Sequence, residues 1–264
     1  MTSKIIPTDV RKIILQQSKR ANVGHIGSAL SVVEILSAVY SGALKINDFS
    51  DPDRDRFVLS KGHAALALYA VLHLRGAISH AELDTFLCND SLLGVHPEYQ
   101  MNGVDFSSGS LGQGLSLGAG AALAGKLHSS QRRVFVLMSD AECNEGSVWE
   151  AAMFAAHRKL DNLIAMIDLN GQQAFGYTRD VCSMPNMAER WRAFGWNVEE
   201  VDGHDMSALN DSLERCKLHK DRPHLIVART TFGKGVSFME NQIKWHYLPM
   251  SDDEFTQAMK EVCS

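Results

Sequence analysis

The chain has 264 residues, of which 45% are hydrophobic and 22% charged, a composition that is ordinary for a folded, soluble protein. Its formal net charge of −5 argues against nucleic acid or an anionic membrane surface as the main partner, because both attract basic proteins. The 5 cysteines form no Cys-x-x-Cys motif, and no apolar run predicts a signal peptide or a membrane span, so we expect a cytoplasmic protein with reduced thiols.

Helical segments alternate with short apolar strands along the chain. A glycine-rich stretch over 108–120 predicts a turn that runs into a helix of small residues. In chain order, the other predicted helices cover 8–20, 28–41, 63–74, 145–159 and 206–218, and the predicted strands cover 56–60, 133–138, 163–167, 197–201 and 225–228.

The strands are continuous apolar runs, which is typical of strands covered on both faces. Their spacing of about thirty residues, with a helix between them, predicts βαβ units. We therefore expect an α/β fold with a doubly wound, mainly parallel sheet flanked by helices. No linker, repeat or low-complexity segment interrupts the sequence, so a single domain over 1–264 is expected.

Polar residues at the carboxyl ends of the predicted strands are the first candidates for chemistry, because open sheets bind ligands there. Asp140 follows the strand over 133–138, and Asn170 follows the strand over 163–167. Such oxygen donors suit Mg²⁺ or Ca²⁺ bridging to a ligand's phosphates. Equally open is a structural interpretation in which Asp140 caps the helix over 145–159 and Asn170 lies in a turn.

Two further features are weaker evidence for a functional site when each is taken by itself. The glycine-rich turn could approach an anion or could merely allow close helix packing. His25, His63 and His96 lie beside glycine or proline in predicted loops or turns, and His246 follows Trp245, but a lone histidine is more often structural than catalytic. Pattern alone therefore predicts a soluble α/β protein that binds a phosphorylated ligand through a hard metal ion.

The segment over 139–151, which begins Ser-Asp-Ala-Glu-Cys-Asn-Glu-Gly, resembles the thiamine diphosphate signature of transketolases. In that family the motif opens Gly-Asp-Gly and closes about thirty residues later in an asparagine, here Asn170. The similarity extends over nearly the whole chain. Blocks similar to the family's, in the family's order, lie at 24–27, 60–64, 94–98, 109–114 and 234–238, with Trp245-His246 at the position of a late active-site histidine.

The resemblance implies the diphosphate-binding domain of a thiamine diphosphate enzyme and a role for each matching residue. Asp140 and Asn170 would hold Mg²⁺ or Ca²⁺ by their side chains and Gln172 by its backbone carbonyl. Glu145 would lie in the acidic contact between paired active sites, with Glu150 supporting it. Cofactor contacts are implied for His63, Gly109, Leu111, Asp140, Ala141, Glu142, Asn170 and His246, and the reaction funnel would be lined by His25, His63, His96 and His246.

The sequence departs from the family pattern at two places, and the first of them has a testable structural meaning. Ser139 and Ala141 replace the two glycines of Gly-Asp-Gly. An alanine would cost about 1 kcal/mol if position 141 required a positive φ, but would be tolerated if the glycine only provided room. Ile26 stands where the family usually has proline, a change with no chemistry attached.

A complete transketolase also contains a pyrimidine-binding domain, which supplies the glutamate that activates the cofactor. No segment of this chain resembles that domain. The resemblance therefore implies the N-terminal subunit of a split transketolase, a transferase that moves a two-carbon ketol unit from a ketose or ketose phosphate to an aldose. A separate C-terminal subunit, in an α₂β₂ heterotetramer, would complete the site. The alternatives are the α subunit of a 2-oxo acid dehydrogenase and a non-catalytic regulatory binding module.

Overall fold

The computed structural model describes residues 4–109 and 111–263, so Ser110 of the glycine-rich turn lies outside the described residues. Five parallel strands form the main sheet, in the order β1-β2-β3-β7-β6, which confirms the predicted α/β class. A short antiparallel hairpin, β4-β5, stands apart from it. The strands are β1 (Arg56–Leu59), β2 (Val134–Ser139), β3 (Leu163–Leu169), β4 (Gln172–Gln173), β5 (Gly176–Tyr177), β6 (Asn197–Asp202) and β7 (His224–Arg229).

Helices cover both faces of the sheet, joined in places by single turns of other helix types. A π-helical turn covers Val39–Ala43, and 3₁₀ turns cover Gly62–Ala64 and Ala141–Asn144. The α-helices are α1 (Pro7–Ala21), α2 (Ile26–Ser31), α3 (Val33–Ala38), α4 (Ala65–Leu74), α5 (His80–Leu83), α6 (Gly114–Leu127), α7 (Gly146–His157), α8 (Thr178–Val181), α9 (Met187–Ala193), α10 (Met206–Arg215), α11 (Lys244–Tyr247) and α12 (Asp252–Cys263).

Successive residues of the central strands enter two different cores. In β2, Phe135 and Leu137 pack with α1 to α4, whereas Val134 and Val136 pack with α6, α7 and α9. A strand covered on both sides needs apolar residues at every position, which explains its continuous apolar run. Among the described residues, no helix combines the length and apolar character that crossing a bilayer requires.

The register of the sheet aligns the strand ends that carry the candidate site. Ser139 at the end of β2 pairs with Asp168 near the end of β3. Asp140 and Asn170 follow directly on these two strands and therefore lie at the same edge of the sheet. Thr230 follows β7 at that edge, which we call the carboxyl edge.

One predicted helix was wrong in detail, and one helix was missed. The single helix predicted over 28–41 is divided at Val32, whose φ and ψ of −101° and 7° end α2 before α3 begins. The C-terminal helix α12 was missed. Its signal was present, because Ser251 and Glu254 form a reciprocal capping pair at its start, the side chain of each accepting a hydrogen bond from the backbone N–H of the other.

Candidate functional site

Asp140 is a buried carboxylate held between two backbone N–H groups. Its Oδ1 accepts a hydrogen bond of 2.8 Å from Ala141, and its Oδ2 accepts one of 2.8 Å from Gly171. Burial, and then the negative charge of Asp168, raises the pKa of Asp140 to about 7. Removal from water and a neighbouring carboxylate both favour the neutral form, so a bound cation would stabilise the ionised one.

Asn170 and Gln172 flank Gly171, whose backbone N–H donates to this carboxylate. The amide of Asn170 is fixed by two contacts, donation to Asp168 at 2.8 Å and acceptance from the backbone N–H of Gln172 at 2.9 Å. The side-chain amide of Gln172 is buried and has no hydrogen-bond partner within the part of the chain that the structure describes. Gly171 separates the two residues and binds Asp140, so all three predicted metal donors meet at one turn.

The interpretation of Asp140 as a helix cap is partly right, because Asp140 caps a different helical element from the one expected. Asp140 caps the 3₁₀ turn over Ala141–Asn144 rather than α7, whose own first flanking residue is Glu145. Ala141 lies within that turn and does not belong to the residues with positive φ. The strain considered for alanine at position 141 is therefore absent.

A fully buried ion pair lies next to the turn over 170–172, which we call the donor turn. Sequence reasoning assigned no role to either residue of the pair. Lys61 and Asp168 have no exposed side-chain surface and contact each other directly. Asp168 also accepts hydrogen bonds from Ser31 at 2.7 Å and from Thr230 and Asn170. Lys61 belongs to the motif block over 60–64, and Asp168 lies two residues before the closing asparagine of the cofactor motif. Their positions within these motifs were the only sequence signals for the pair.

Glu142 anchors the glycine-rich turn. Its carboxylate accepts hydrogen bonds from the Ser60 hydroxyl, from the backbone N–H of Gly112 at 2.8 Å and from that of Ser139 at 3.2 Å. These contacts tie the turn to the ends of β1 and β2. The Glu142 carboxylate is fully engaged with these protein groups and fixes the position of the turn.

His25, His63 and His246, from distant parts of the chain, form one group, which we call the imidazole cluster. Ring centroids are 5.6 Å apart for His25 and His63, 5.4 Å for His25 and His246, and 5.6 Å for His63 and His246. At Gly24 a side-chain carbon would lie 2.3 Å from the carbonyl oxygen of Tyr247, so glycine permits this close approach of the two loops. Phe232, which sequence reasoning missed, stacks on the His246 ring at 5.9 Å.

His96 extends the cluster toward the glycine-rich turn. A side-chain carbon at Gly109 would lie 3.6 Å from the His96 ring, and Leu111 continues the turn beyond the undescribed Ser110. His96 also affects the pKa of both His25 and His63, where its charge disfavours protonation. The four predicted funnel histidines are therefore neighbours.

The clustered imidazoles are neutral. Desolvation, followed by the charges of His25 and Lys61, lowers the pKa of His246 to about 4. Desolvation and the charge of Lys61 hold the pKa of His63 well below its usual value of 6.5. Neutral rings can both donate and accept hydrogen bonds, and Nδ1 of His25 and of His246 is buried without a partner in the protein.

The shift at His246 predicts a loss of stability in acid. The unfolded state takes up its proton near pH 6.5 but the folded state only near pH 4. The stabilisation from neutral His246 is therefore fully present above pH 6.5. As the pH falls to 4, the free energy of unfolding decreases by about 2–3 kcal/mol. Urea unfolding at pH 7 and pH 4.5 should show a smaller acid destabilisation in His246→Gln than in the wild-type chain.

The exposed His128 provides the matched control for this measurement, since His128→Gln removes an imidazole outside the cluster. That variant should retain the wild-type dependence on pH. An equal loss of stability in acid for His246→Gln and the wild type would contradict the assignment to His246.

Glu145 and Glu150 differ from the residues above because both are exposed. Glu145 flanks the start of α7 and packs against the glycine-rich turn, where a side-chain carbon at Gly112 would lie 2.7 Å from its Cβ. Neither glutamate forms an ion pair among the described residues. Their exposure beside the glycine-rich turn and α7 is compatible with the expected contact to another subunit.

The residues present fit a diphosphate bound through a divalent cation. A desolvated carboxylate and a fixed amide lie at the carboxyl edge. His63, whose ring neighbours those of His25 and His246, follows β1 at the same edge. Hard oxygen donors match Mg²⁺ or Ca²⁺, and nitrogen donors match phosphate oxygens.

Comparison with known proteins supplies the family. The model of the transketolase thiamine diphosphate binding domain matches residues 2–263. The chain belongs to this family. Its cofactor is thiamine diphosphate, as the resemblance implied.

Similar proteins include subunits of split enzymes. The chain is 40% identical to one subunit of the apulose-4-phosphate transketolase of Phocaeicola vulgatus, over 96% of this chain and 90% of that protein. It is 38% identical to the 6-deoxy-6-sulfo-D-fructose transketolase subunit SqwG of a Clostridium species, over 96% and 93%. The expected transketolase-type transferase subunit that works with a partner is confirmed, and the dehydrogenase alternative is not favoured.

Solved transketolases share the fold over a part of their length. A transketolase from Pichia stipitis superposes with a TM-score of 0.92 at 30% identity, covering 97% of this chain and 40% of that one. The transketolase from Leishmania mexicana gives 0.90 at 27% identity with the same coverage. This chain thus spans about 40% of the length of these structures.

Proposed function

We propose that this chain, together with a C-terminal subunit, transfers a two-carbon ketol unit from a ketose phosphate, or a ketose with a similar anionic group, to an aldose. The observation that carries the proposal is the contact of Lys61 with Asp168, which joins two sets of candidate groups. Asp168 accepts a hydrogen bond from Asn170 of the donor turn, and Lys61 lies two residues before His63 of the imidazole cluster. This arrangement supports one shared site for the metal donors and the histidines.

In this proposal, each group at the carboxyl edge has a defined task in binding. Asp140 and Asn170 hold Mg²⁺ by their side chains and Gln172 holds it by its carbonyl oxygen. His63 and His246 donate hydrogen bonds to the diphosphate, and Gly109, Leu111 and Ala141 lie against the cofactor. Glu142 keeps the glycine-rich turn in position for this contact.

The chemistry divides between the cofactor and the chain. Bound thiamine diphosphate would supply the electron sink for the electron pair of the broken C–C bond. His25, His63, His96 and His246 orient the sugar hydroxyls and move protons to and from their oxygen atoms. An imidazole ring suits this task because it can accept a proton at one nitrogen and donate one at the other.

In this proposal the partner subunit supplies the groups that a diphosphate-binding domain lacks. We propose that residues 1–264 form one diphosphate-binding domain and that the C-terminal subunit carries the pyrimidine-binding domain with its activating glutamate. The exposed Glu145 supports an α₂β₂ assembly in which paired sites meet through acidic residues. The five free thiols support a cytoplasmic location, and the acidic composition supports function without nucleic acid or a membrane.

Reconstitution with the partner subunit tests the function. The purified pair should convert a ketose phosphate donor and an aldose acceptor only when thiamine diphosphate and Mg²⁺ are both present. Neither protein should be active by itself. Decarboxylation of a 2-oxo acid with an artificial electron acceptor, in place of ketol transfer, would contradict the proposal, and so would ketol transfer that persists in the presence of a chelator.

A further inference from the structure

A cavity lies at the edge of the sheet opposite to the carboxyl edge, where the strands begin. It has a volume of about 570 Å³, within the range of about 300–1,000 Å³ that is usual for small-molecule sites. Arg133 directly precedes β2, and Asn162 directly precedes β3. We call this cavity the amino-edge cleft. Its lining includes Lys45, Lys126, Arg133, Asp161, Asn162 and Lys220.

The amino-edge cleft is basic although the chain is acidic. Five of its lining residues are lysine or arginine and one, Asp161, is acidic, whereas the whole chain carries a net charge of −5. Burial opposes ionisation of Asp161, but hydrogen bonds and the charges of Lys126 and Lys220 hold its pKa below the usual value. The sole carboxylate in the lining is therefore ionised and already surrounded by cations.

Several donors in the cleft lack a partner within the described chain. Lys126 pairs with Asp161 at 2.7 Å, and Arg133 pairs with Asp55 at 2.8 Å. Lys45 and Lys220 line the cleft and form no ion pair among the described residues. Nη1 of Arg133 is buried and has no hydrogen-bond partner among the described residues. Lys45 and Lys220, from separate connections, thus have donors available for one ligand, and Arg133 adds a positive charge to the lining.

The lining also indicates what kind of anion fits. Serine, glutamine and asparagine side chains supply hydrogen-bonding groups for hydroxyls, as a sugar ligand requires. The lining residues include no aromatic side chain on which a nucleobase could stack. The amino edge is also remote from the carboxyl edge, since β2 alone spans six residues, or about 20 Å.

We propose that the amino-edge cleft binds a small, multiply phosphorylated, non-aromatic metabolite of the sugar bisphosphate class. Lys45 and Lys220 contact its phosphate groups, and Arg133 and the polar side chains contact the remainder. The site is separate from the proposed site of ketol transfer, so it does not depend on the catalytic assignment.

Calorimetric titration of the full chain with fructose 1,6-bisphosphate tests the proposal. Saturable binding at one site per chain is expected. Lys45→Ala/Lys220→Ala should weaken it about tenfold or more, because both side chains are exposed and their loss removes phosphate contacts without disturbing the core. Circular dichroism should show the wild-type fold for this variant.

Two further variants show whether the ligand binds in the cleft or elsewhere on the chain. Lys4→Ala/Lys260→Ala removes the same charge from exposed positions outside the cleft and should bind as the wild type does. His63→Ala alters the carboxyl edge and should also leave binding unchanged. The proposal is overturned by an absence of saturable binding at millimolar ligand, by equal weakening in both lysine pairs, or by loss of binding in His63→Ala.

Discussion

Substitution of Asp140 by asparagine is expected to lower the Mg²⁺ affinity of the reconstituted enzyme by about a hundredfold, with a matching loss of ketol transfer at limiting metal. Asp140 is the only carboxylate among the three proposed donors, and Asn170 and Gln172 contribute neutral oxygens. Asparagine keeps the shape and one acceptor oxygen but removes the charge. Titration of activity against Mg²⁺ at saturating thiamine diphosphate measures the effect.

The same substitution should change the free energy of unfolding of the chain without metal by less than about 2 kcal/mol, because removal of a buried charge offsets the loss of one of the two oxygens that accept hydrogen bonds from Ala141 and Gly171. The Asp140 carboxylate is buried near Asp168, and its ionised form is disfavoured there. Asp211→Asn, on the exposed surface of α10, is the matched control and should alter neither metal affinity nor stability. Wild-type activity and Mg²⁺ dependence in Asp140→Asn would refute the metal assignment, whereas a loss of folding would refute the expectation for stability.

Replacement of Lys61 by methionine is expected to reduce the free energy of unfolding by about 3–5 kcal/mol. Lys61 is the only cation paired with Asp168 among the described residues, and both side chains are fully buried. Methionine fills a similar volume but leaves a carboxylate without a counter-charge in a region from which water is excluded. Urea unfolding of the purified chain at neutral pH measures the change.

Two controls isolate the buried charge from the loss of a lysine. Lys12→Met removes a half-exposed partner of Asp9 and should change the free energy of unfolding by less than about 1 kcal/mol. Lys61→Met/Asp168→Asn removes both charges and should recover most of the lost stability. If Lys61→Met is as stable as the wild type, or if the double variant recovers nothing, the ion pair is not the source of the effect.

Local patterns sufficed for the strands and for the donors at their ends. Continuous apolar runs predicted β2 and β3, because a strand covered by helices on both faces exposes no side chain to water. The expected parallel arrangement of these strands was enough to place Asp140 and Asn170 at one edge of the sheet. The missed helix α12 was also readable, from the capping pair of Ser251 and Glu254.

Other features depended on contacts between residues far apart in the chain. Glu142, which lies within the motif, contacts Ser60 and Gly112, which are 82 and 30 residues away in the chain. The break at Val32 and the stacking of Phe232 on His246 likewise depend on packing that no local pattern encodes. Similarity to the family located the motifs, but the partners of each side chain came from the folded chain.

The sequence by itself determined the α/β class, the strand ends with their oxygen donors and the membership of a cofactor family. Tertiary structure alone decided which charges neutralise each other, as Lys61 and Asp168 do, and which histidines share one cluster. It also revealed the amino-edge cleft. The physical reason is that hydrophobic periodicity and motif spacing are local properties, whereas burial, desolvation and the field of neighbouring charges arise only when distant segments pack together.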